Sequence, residues 1–438
     1  LQAIGRFFKP YLQKLWSLIS GQPIPTPQEA PVPVYDYQRK RRAVRPGFGQ
    51  KMGSFFTPLF IFFKKPRRLL ILVAILLVIF LVVWIGWKKT QSSRLLSRSQ
   101  AKEYLTQARS DLEKAKTAIL FNDNEKAKTL LLSVLTQTQA LANSFYKDEA
   151  SSLQTDAEGK LDKLIAASRP TPQNLFTYPA ADQIFYSDGF VYGLDEGQNK
   201  VFKGSIQNKN IQTVGTIPSS DGMIKVGAFI SYNKSYFALT TQNVGWQIIT
   251  GPDKIQSANI REGNFEEAQD IGVFFNNIYL LDAQTNQIYK HVISGDVFGK
   301  GQLYLTSSKV DIKNALSLAI DGDVYILRGD GTVSRFSKGK EVTFQLKDLP
   351  TPVEKIYAPL QIITDADMPN LYILDGGGKT SSGYQIPPRI IEFAKTGSFT
   401  QQYFLPNWLE KTQDIVTNYK IKKAWLLWEN QVFEIALK

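Results

Sequence analysis

The chain has 438 residues, with 52 Lys+Arg against 39 Asp+Glu, one His and no Cys. Without cysteine there is no disulfide framework, thiolate zinc site or cysteine nucleophile, and with His291 as the sole imidazole, multi-histidine metal centres and most histidine acid–base schemes are excluded. The net charge of +13 points to an acidic partner, such as nucleic acid or anionic lipid, and which of the two depends on where the charge sits.

Residues 1–20 place Leu1, Ile4, Phe8, Tyr11, Leu15 and Ile19 at spacings of 3 and 4, with Arg6, Lys9 and Lys14 the only charges. That is the pattern of a basic amphipathic helix, interrupted by Pro10, lying on a lipid surface or packing as the end of a preceding domain. The alternating prolines of residues 22–33 then give an extended linker. The cluster Gln38-Arg39-Lys40-Arg41-Arg42 has the composition of a nucleic-acid patch. Its place shortly before an apolar run makes it a headgroup and topology signal instead, with no specific nucleic-acid partner.

Residues 69–87, LLILVAILLVIFLVVWIGW, carry no charge, and as a helix they cover about 28 Å, close to the thickness of a bilayer core. Trp84 and Trp87, followed by Lys88 and Lys89, form an interfacial ending. Residues 1–68 hold thirteen cations and two acids, a net of +11, so everything after the run carries only +2. Positive loops stay inside. The expectation is therefore a single span in the cell membrane, oriented by Lys64, Lys65, Arg67 and Arg68, with the tail against the anionic inner leaflet and the C-terminal part outside. Leu1 is not methionine, which leaves room for a cytoplasmic domain upstream.

Between residues 88 and 169 the chain is rich in Ala, Leu, Lys, Glu and Gln. Leu105, Ala108, Leu112, Ala115 and Ile119 form one stripe; after Phe121-Asn122-Asp123-Asn124, a second runs through Ala127, Leu131, Val134, Leu141 and Phe145. The spacing predicts an antiparallel helical hairpin with Asn124 as N-cap, then a third helix from about Asp148 to Ala167. The helix–turn–helix resembles one tetratricopeptide-type unit, and one unit cannot make a solenoid. A stalk is the expected role, and the same stripes could pair two copies as a coiled-coil homodimer.

From residue 170 to 438 the pattern turns to short β-runs with Gly, Asn and Asp turns. One strand recurs six times, with its aromatic at Tyr192, Phe237, Tyr279, Tyr325, Tyr372 and Trp425, separated by 45, 42, 46, 47 and 53 residues. A period near 45 residues is that of four-stranded propeller blades. The Y-x-L-D…N-x-[IV] grammar, as in Tyr192…Asp195…Asn199 and Tyr279…Asp282…Asn286, resembles the repeats of NHL-type and YWTD-type six-bladed propellers. Blade two departs from it with Thr240 at the Asp position, and blade four has Arg328 there. The last unit has no room for an outer strand, and Asn174–Tyr178 is the segment expected to supply it. The expected fold class is mainly β, a six-bladed propeller (seven blades being the alternative) preceded by a membrane helix and a helical hairpin.

Other motifs yield to plainer readings. Leu374–Ser381 is Gly-rich but lacks phosphate-loop spacing and reads as a flexible hairpin loop. Arg328-Gly329-Asp330 precedes a Gly at a hairpin turn. The pairs Asp321/Asp323 and Asp365/Asp367 could ligate calcium but lack the twelve-residue loop, so turn formation is preferred. His291 on a strand is structural or exposed. Trp246, Trp408 and Trp428 are candidates for a ligand face or for packing between blades. No catalytic, metal or cofactor residue is assigned.

These features point to a membrane-anchored propeller that binds or senses a protein, peptide or glycan. The arrangement also resembles bacterial proteins in which a cytoplasmic PPM-type serine/threonine phosphatase domain is joined through a basic linker and one span to an outer repeat domain. None of that family's metal-binding aspartate motifs occurs in residues 1–68. A propeller hydrolase or lactonase is the third reading, and it requires clustered carboxylates at the centre of the ring.

Overall fold

In a computed structural model, the described residues are 96–438 apart from 231–233, 259–267, 276, 295–296 and 381–382. The amphipathic segment, the proline linker, the apolar run 69–87 and the orienting cations Lys64, Lys65, Arg67 and Arg68 lie outside them. Among the described residues, no helix is long and apolar enough to cross a membrane.

Three helices come first. Helix α1 (Arg98–Leu120) starts at Ser97, whose hydroxyl accepts from Gln100 N at 3.3 Å while the Gln100 side chain accepts from Ser97 N at 3.2 Å, a reciprocal capping box. Helix α2 (Asn124–Ala140) is capped by Asp123 and not by Asn124, because it is the Asp123 carboxylate that reaches Lys126 N, at 3.3 Å. Helix α3 (Lys147–Leu164) ends three residues earlier than expected. The first stripe is borne out: Ala108, Leu112 and Ala115 are buried and meet Leu131, Val134 and Leu135 of α2, while Leu105 is buried with Ala101, Leu141 and Ala150. Each leucine buried this way contributes roughly 1.5–3 kcal/mol, and the alanines let the helices approach closely. Phe145 departs from the second stripe. Because α2 stops at Ala140, the turn that follows throws the ring outward, leaving it 82% exposed.

Two short strands follow the helices, β1 (Ala167–Ser168) and β2 (Gln173–Thr177), and then six sheets. Blade I is β3 (Gln183–Ser187), β4 (Phe190–Asp195), β5 (Lys200–Ser205) and β6 (Ile211–Thr216); blade II is β7 (Ile224–Ile230), β8 (Ser235–Thr240), β9 (Gly245–Ile249) and β10 (Lys254–Ser257). Blade III has β11 (Asp270–Phe274), β12 (Asn277–Asp282) and β13 (Gln287–Ser294), with β14 (Val297–Phe298) and β15 (Gln302–Leu303) both pairing β13. Blade IV is β16 (Ala315–Ile320), β17 (Val324–Arg328), β18 (Val333–Ser337) and β19 (Lys340–Val342). Blade V begins with β20 (Pro359–Ile363) and β21 (Asn370–Asp375), is interrupted by the small hairpin β22 (Gly378–Lys379) and β23 (Gln385–Ile386), and resumes with β24 (Arg389–Ala394) and β25 (Phe399–Phe404). Blade VI is β26 (Asp414–Asn418), β27 (Lys423–Trp428) and β28 (Gln431–Ala436).

The outer strand of blade VI is β2, antiparallel to β28, so the N-terminal strand closes the ring as the sequence indicates. Closure removes the open edge that β28 would otherwise present. Phe176 of β2 lies over Gly204 of blade I, where a Cβ would come within 2.3 Å of its ring.

The repeat grammar has a mechanical explanation. Asn199 and Asn286 follow the strand-ending Asp with φ of 54° and 58°, a left-handed backbone that Asn tolerates. Asn199 Nδ2 donates to Gly222 O at 2.7 Å and its Oδ1 accepts from Ile224 N at 2.8 Å; Asn286 does the same with Val310 O at 2.6 Å and Ile312 N at 2.7 Å. Each Asn thus latches the chain entering the next blade. Asn430 takes Ala181 N at 3.0 Å at the closing junction. Thr240 substitutes for the Asp by accepting from Val244 N at 3.2 Å, whereas Arg328 reaches Asn314 and Ser334 instead. Those two positions do not share one role.

The hairpin β22/β23 corrects the expectation of a flexible loop. Tyr384 and Ile386 are buried in one cluster with Leu112, Leu131, Leu161, Val353 and Phe404, so the insertion is the surface on which the helices rest. Gln402 extends the joint: its Nε2 donates to Ile165 O at 3.1 Å, its N to Ala166 O at 3.0 Å, and β1 adds to β25 as a parallel fifth strand.

Candidate functional site

The first strands of the blades succeed one another around the axis, with β26 packing back on β3, and they enclose a channel of about 620 Å³. One position of each first strand pairs with the Leu two residues after the blade's repeat aromatic: Gln183, Val226, Asp270, Ser317, Gln361 and Asp414, opposite Leu194, Leu239, Leu281, Leu327, Leu374 and Leu427. Five of the six are polar, and each of the five bonds to the main chain of the following blade. Asp414 Oδ2 accepts from Ile184 N (2.8 Å), Gln183 Nε2 donates to Lys225 O (2.9 Å), and Asp270 Oδ2 accepts from Leu318 N (2.7 Å). Ser317 Oγ accepts from Ile362 N (3.3 Å) and Gln361 Oε1 from Ile415 N (3.2 Å). These bonds form a polar seam around the bore.

The carboxylates in the seam are electrostatically costly. Burial pushes the Asp270 carboxyl up to about 6 against its bonds from Leu318 N, Ser317 and Ile271 N. Burial likewise pushes Asp414 up to about 7, against bonds from Ile184 N, Ile415 N and Gln361, while the charge of Asp270 adds to the rise. A carboxyl whose pKa is raised by folding, from an unfolded value near 3.9, binds more protons folded than unfolded between the two values. Its contribution therefore worsens as pH rises through that window. Both groups are only half-buried along the bore, so solvent screening holds the effect to the order of 1–2 kcal/mol. The unfolding midpoint of the wild type should lose more between pH 5 and pH 8 than that of Asp414→Asn, which cannot ionise; equal losses in the two proteins would refute the assignment.

The two mouths differ. At the hairpin-turn end, Asp188–Lys234 (3.0 Å), Asp321–Lys395 (2.8 Å) and Asp367–Lys420 (3.3 Å) tie neighbouring blades. At the other end, register shifts at Ala315/Ser317 and Pro359/Gln361 push out Leu316 and Leu360, each 41% exposed. Trp408 lies in the connection from blade V to blade VI, 45% exposed, edge-on to Trp428 at 5.2 Å. Trp246 is half-buried on β9.

The structure places the repeat aromatics one per blade, on β4, β8, β12, β17, β21 and β27, all buried. They converge on no site. Tyr192 donates to Asp253 at 2.9 Å, Tyr325 to Asp321 at 3.3 Å and Trp425 Nε1 to Glu434 at 3.1 Å. The acidic pairs form turns: Asp321 Oδ1 accepts from Asp323 N at 3.1 Å, and Asp365 Oδ1 from Asp367 N and Met368 N at 2.8 Å. Asp330 Oδ1 accepts from Thr332 N at 2.9 Å within its hairpin turn. His291 is buried, with Nδ1 2.9 Å from Gly299 O, and burial lowers its pKa. Among the described residues, no three His, Cys, Asp or Glu side chains group as a metal site.

The seam was missed in the sequence. Its signal is a polar residue followed by Ile or Leu, eight to eleven positions before the repeat aromatic: Gln183-Ile184, Asp270-Ile271, Ser317-Leu318, Gln361-Ile362 and Asp414-Ile415.

No protein-family model matches the chain, and no curated protein does. Solved structures do align with it. PorZ, a surface component of the type-IX secretion system of Porphyromonas gingivalis, aligns at 11% identity over 61% of this chain and 38% of its own, with a TM-score of 0.38. An auxiliary nutrient binding protein from Bacteroides thetaiotaomicron aligns at 10% identity over 59% and 69% of the two chains, TM-score 0.39. A provisionally assigned gluconolactonase aligns at 10% identity over 63% and 95%, TM-score 0.42. The chain thus spans well under half the length of PorZ, and its six-bladed propeller is established by its own sheets.

Proposed function

We propose that the chain is a single-pass membrane protein, with residues 1–68 in the cytoplasm and the propeller outside, and that the propeller binds a protein, peptide or glycan without turning it over. The seam carries the non-catalytic reading: Asp270 and Asp414 are engaged by main-chain N–H donors of their own and neighbouring blades. A hydrolase or lactonase needs carboxylates free to hold a cation or to move a proton. Ligand contact is assigned to the rim bearing Leu316, Leu360 and Trp408, where large apolar side chains meet solvent on a rigid disc.

The test presents the purified full-length chain to peptide and glycan arrays. The double variant Leu316→Asp/Leu360→Asp, which removes both apolar anchors, should weaken any retained ligand at least about tenfold, or about 1.4 kcal/mol. Turnover of a generic ester or lactone that calcium supports and chelation abolishes would overturn the non-catalytic reading. Protease added to intact cells should cut the propeller and spare the tail; the reverse pattern would invert the orientation.

A second reading is favoured by the joint between helices and blade V. Gln402 bonds at once to the end of α3 and to Arg389 inside the blade, at 2.8 Å, which suits the outer half of a signalling receptor or of a transmembrane PPM-type phosphatase. Paired aspartate motifs encoded upstream of Leu1 would support that reading, and an initiator codon immediately before Leu1 would remove it.

A further inference from the structure

The three helices have two ends of different character. At one, Ile165 bonds to Gln402 and Glu125 accepts from Thr351 Oγ1 at 2.7 Å, so this end meets blade V. At the other lie the first turn of α1 and the turn between α2 and α3, some 34 Å away along the 23 residues of α1. Here Phe145 is 82% exposed and Tyr104 42% exposed, and the Arg98 guanidinium lies 5.6 Å over the Phe145 ring. An aromatic ring capped by a cation and held out on a turn has the amphipathic form of a membrane-interface residue.

We infer that the turn between α2 and α3 is a membrane seat, with Phe145 inserted into the interfacial layer of the phospholipid bilayer. The inference rests on the reading of residues 69–87 as a span. Eight residues, 88–95, separate that run from Leu96, and fully extended they reach about 29 Å at most, so this end of the helices cannot stand far from the bilayer. Charge decides the kind of lipid contact. Among the described residues of this end, Arg98, Lys102, Arg109 and Lys147 stand against Glu103, Asp148 and Glu149, a net of only +1, with Arg109 paired to Glu149. The seat is therefore apolar, indifferent to headgroup charge and to salt. At the propeller end, Leu120 and Phe121 are 81% and 80% exposed and supply an internal reference that stays in water.

The absence of native cysteine makes single labels straightforward. The full chain carrying Asn143→Cys, labelled with an environment-sensitive nitrobenzoxadiazole dye, is reconstituted in phosphatidylcholine liposomes beside the same chain labelled at Phe121→Cys. The expected result is a blue-shifted emission at 143, quenched by a nitroxide lipid, unaffected by 1 M salt and abolished by adding Phe145→Ser, with none of this at 121. Equal emission at both positions in carbonate-resistant liposomes would overturn the seat alone. A blue shift that the nitroxide lipid leaves untouched would put the turn against protein, a second copy included, and overturn it as well. Extraction of the chain by alkaline carbonate would overturn the span and the seat together.

Discussion

Asp375→Ala should lower the unfolding free energy by about 3–5 kcal/mol, the range for breaking a fully buried ion pair from one side. Asp375 and Arg389 are both 0% exposed and 2.9 Å apart. The Asp375 Oδ1 also accepts from Ala358 N at 2.8 Å and from Tyr357 N and Gly377 N at 3.1 Å. Truncation strands a guanidinium whose pKa burial already presses downward and Asp375 holds up, and it leaves three N–H donors with no acceptor. Asp375→Asn keeps one acceptor oxygen and should cost roughly half as much. Urea denaturation followed by tryptophan fluorescence measures both. A loss below about 1.5 kcal/mol for the alanine variant would mean that the pair is not the strut described.

Trp425→Ala should cost about 3–5 kcal/mol, the largest effect expected among the repeat aromatics. The ring is fully buried, stacks on Tyr186 at 4.3 Å with planes 5° apart, and donates to Glu434, which Lys423 also holds. Trp425→Phe retains most of the packing and loses the donor, so it should cost about 1–2 kcal/mol. If phenylalanine proves as damaging as alanine, the hydrogen bond and not the packing dominates.

The six blades, the closing strand and the helical stripe were legible because each is written as a period: about 45 residues for blades, and steps of 3 and 4 for the helices. Phe145 was misread because it continues the step of 4 beyond a helix that has already ended, and periodicity alone does not mark the end. The seam was invisible for a different reason. Its bonds join residues 42 to 54 positions apart, or 230 at the closing junction, and its chemistry alternates among Gln, Asp and Ser because any acceptor or donor of the right reach serves. Hairpin β22/β23 read as a loop because its apolar residues, Tyr384 and Ile386, find their partners in helices more than 200 positions away.

Strand β2 is made before blade I, yet its partner β28 lies far downstream, with 257 positions between Asn174 and Gln431. During synthesis, five blades can therefore assemble in order while β2 waits unpaired and the disc gapes at one junction. The ring becomes a single cooperative body only when the last hairpin arrives. A chain cut short anywhere in blade VI would leave β2 without its partner strand and the ring open at that junction.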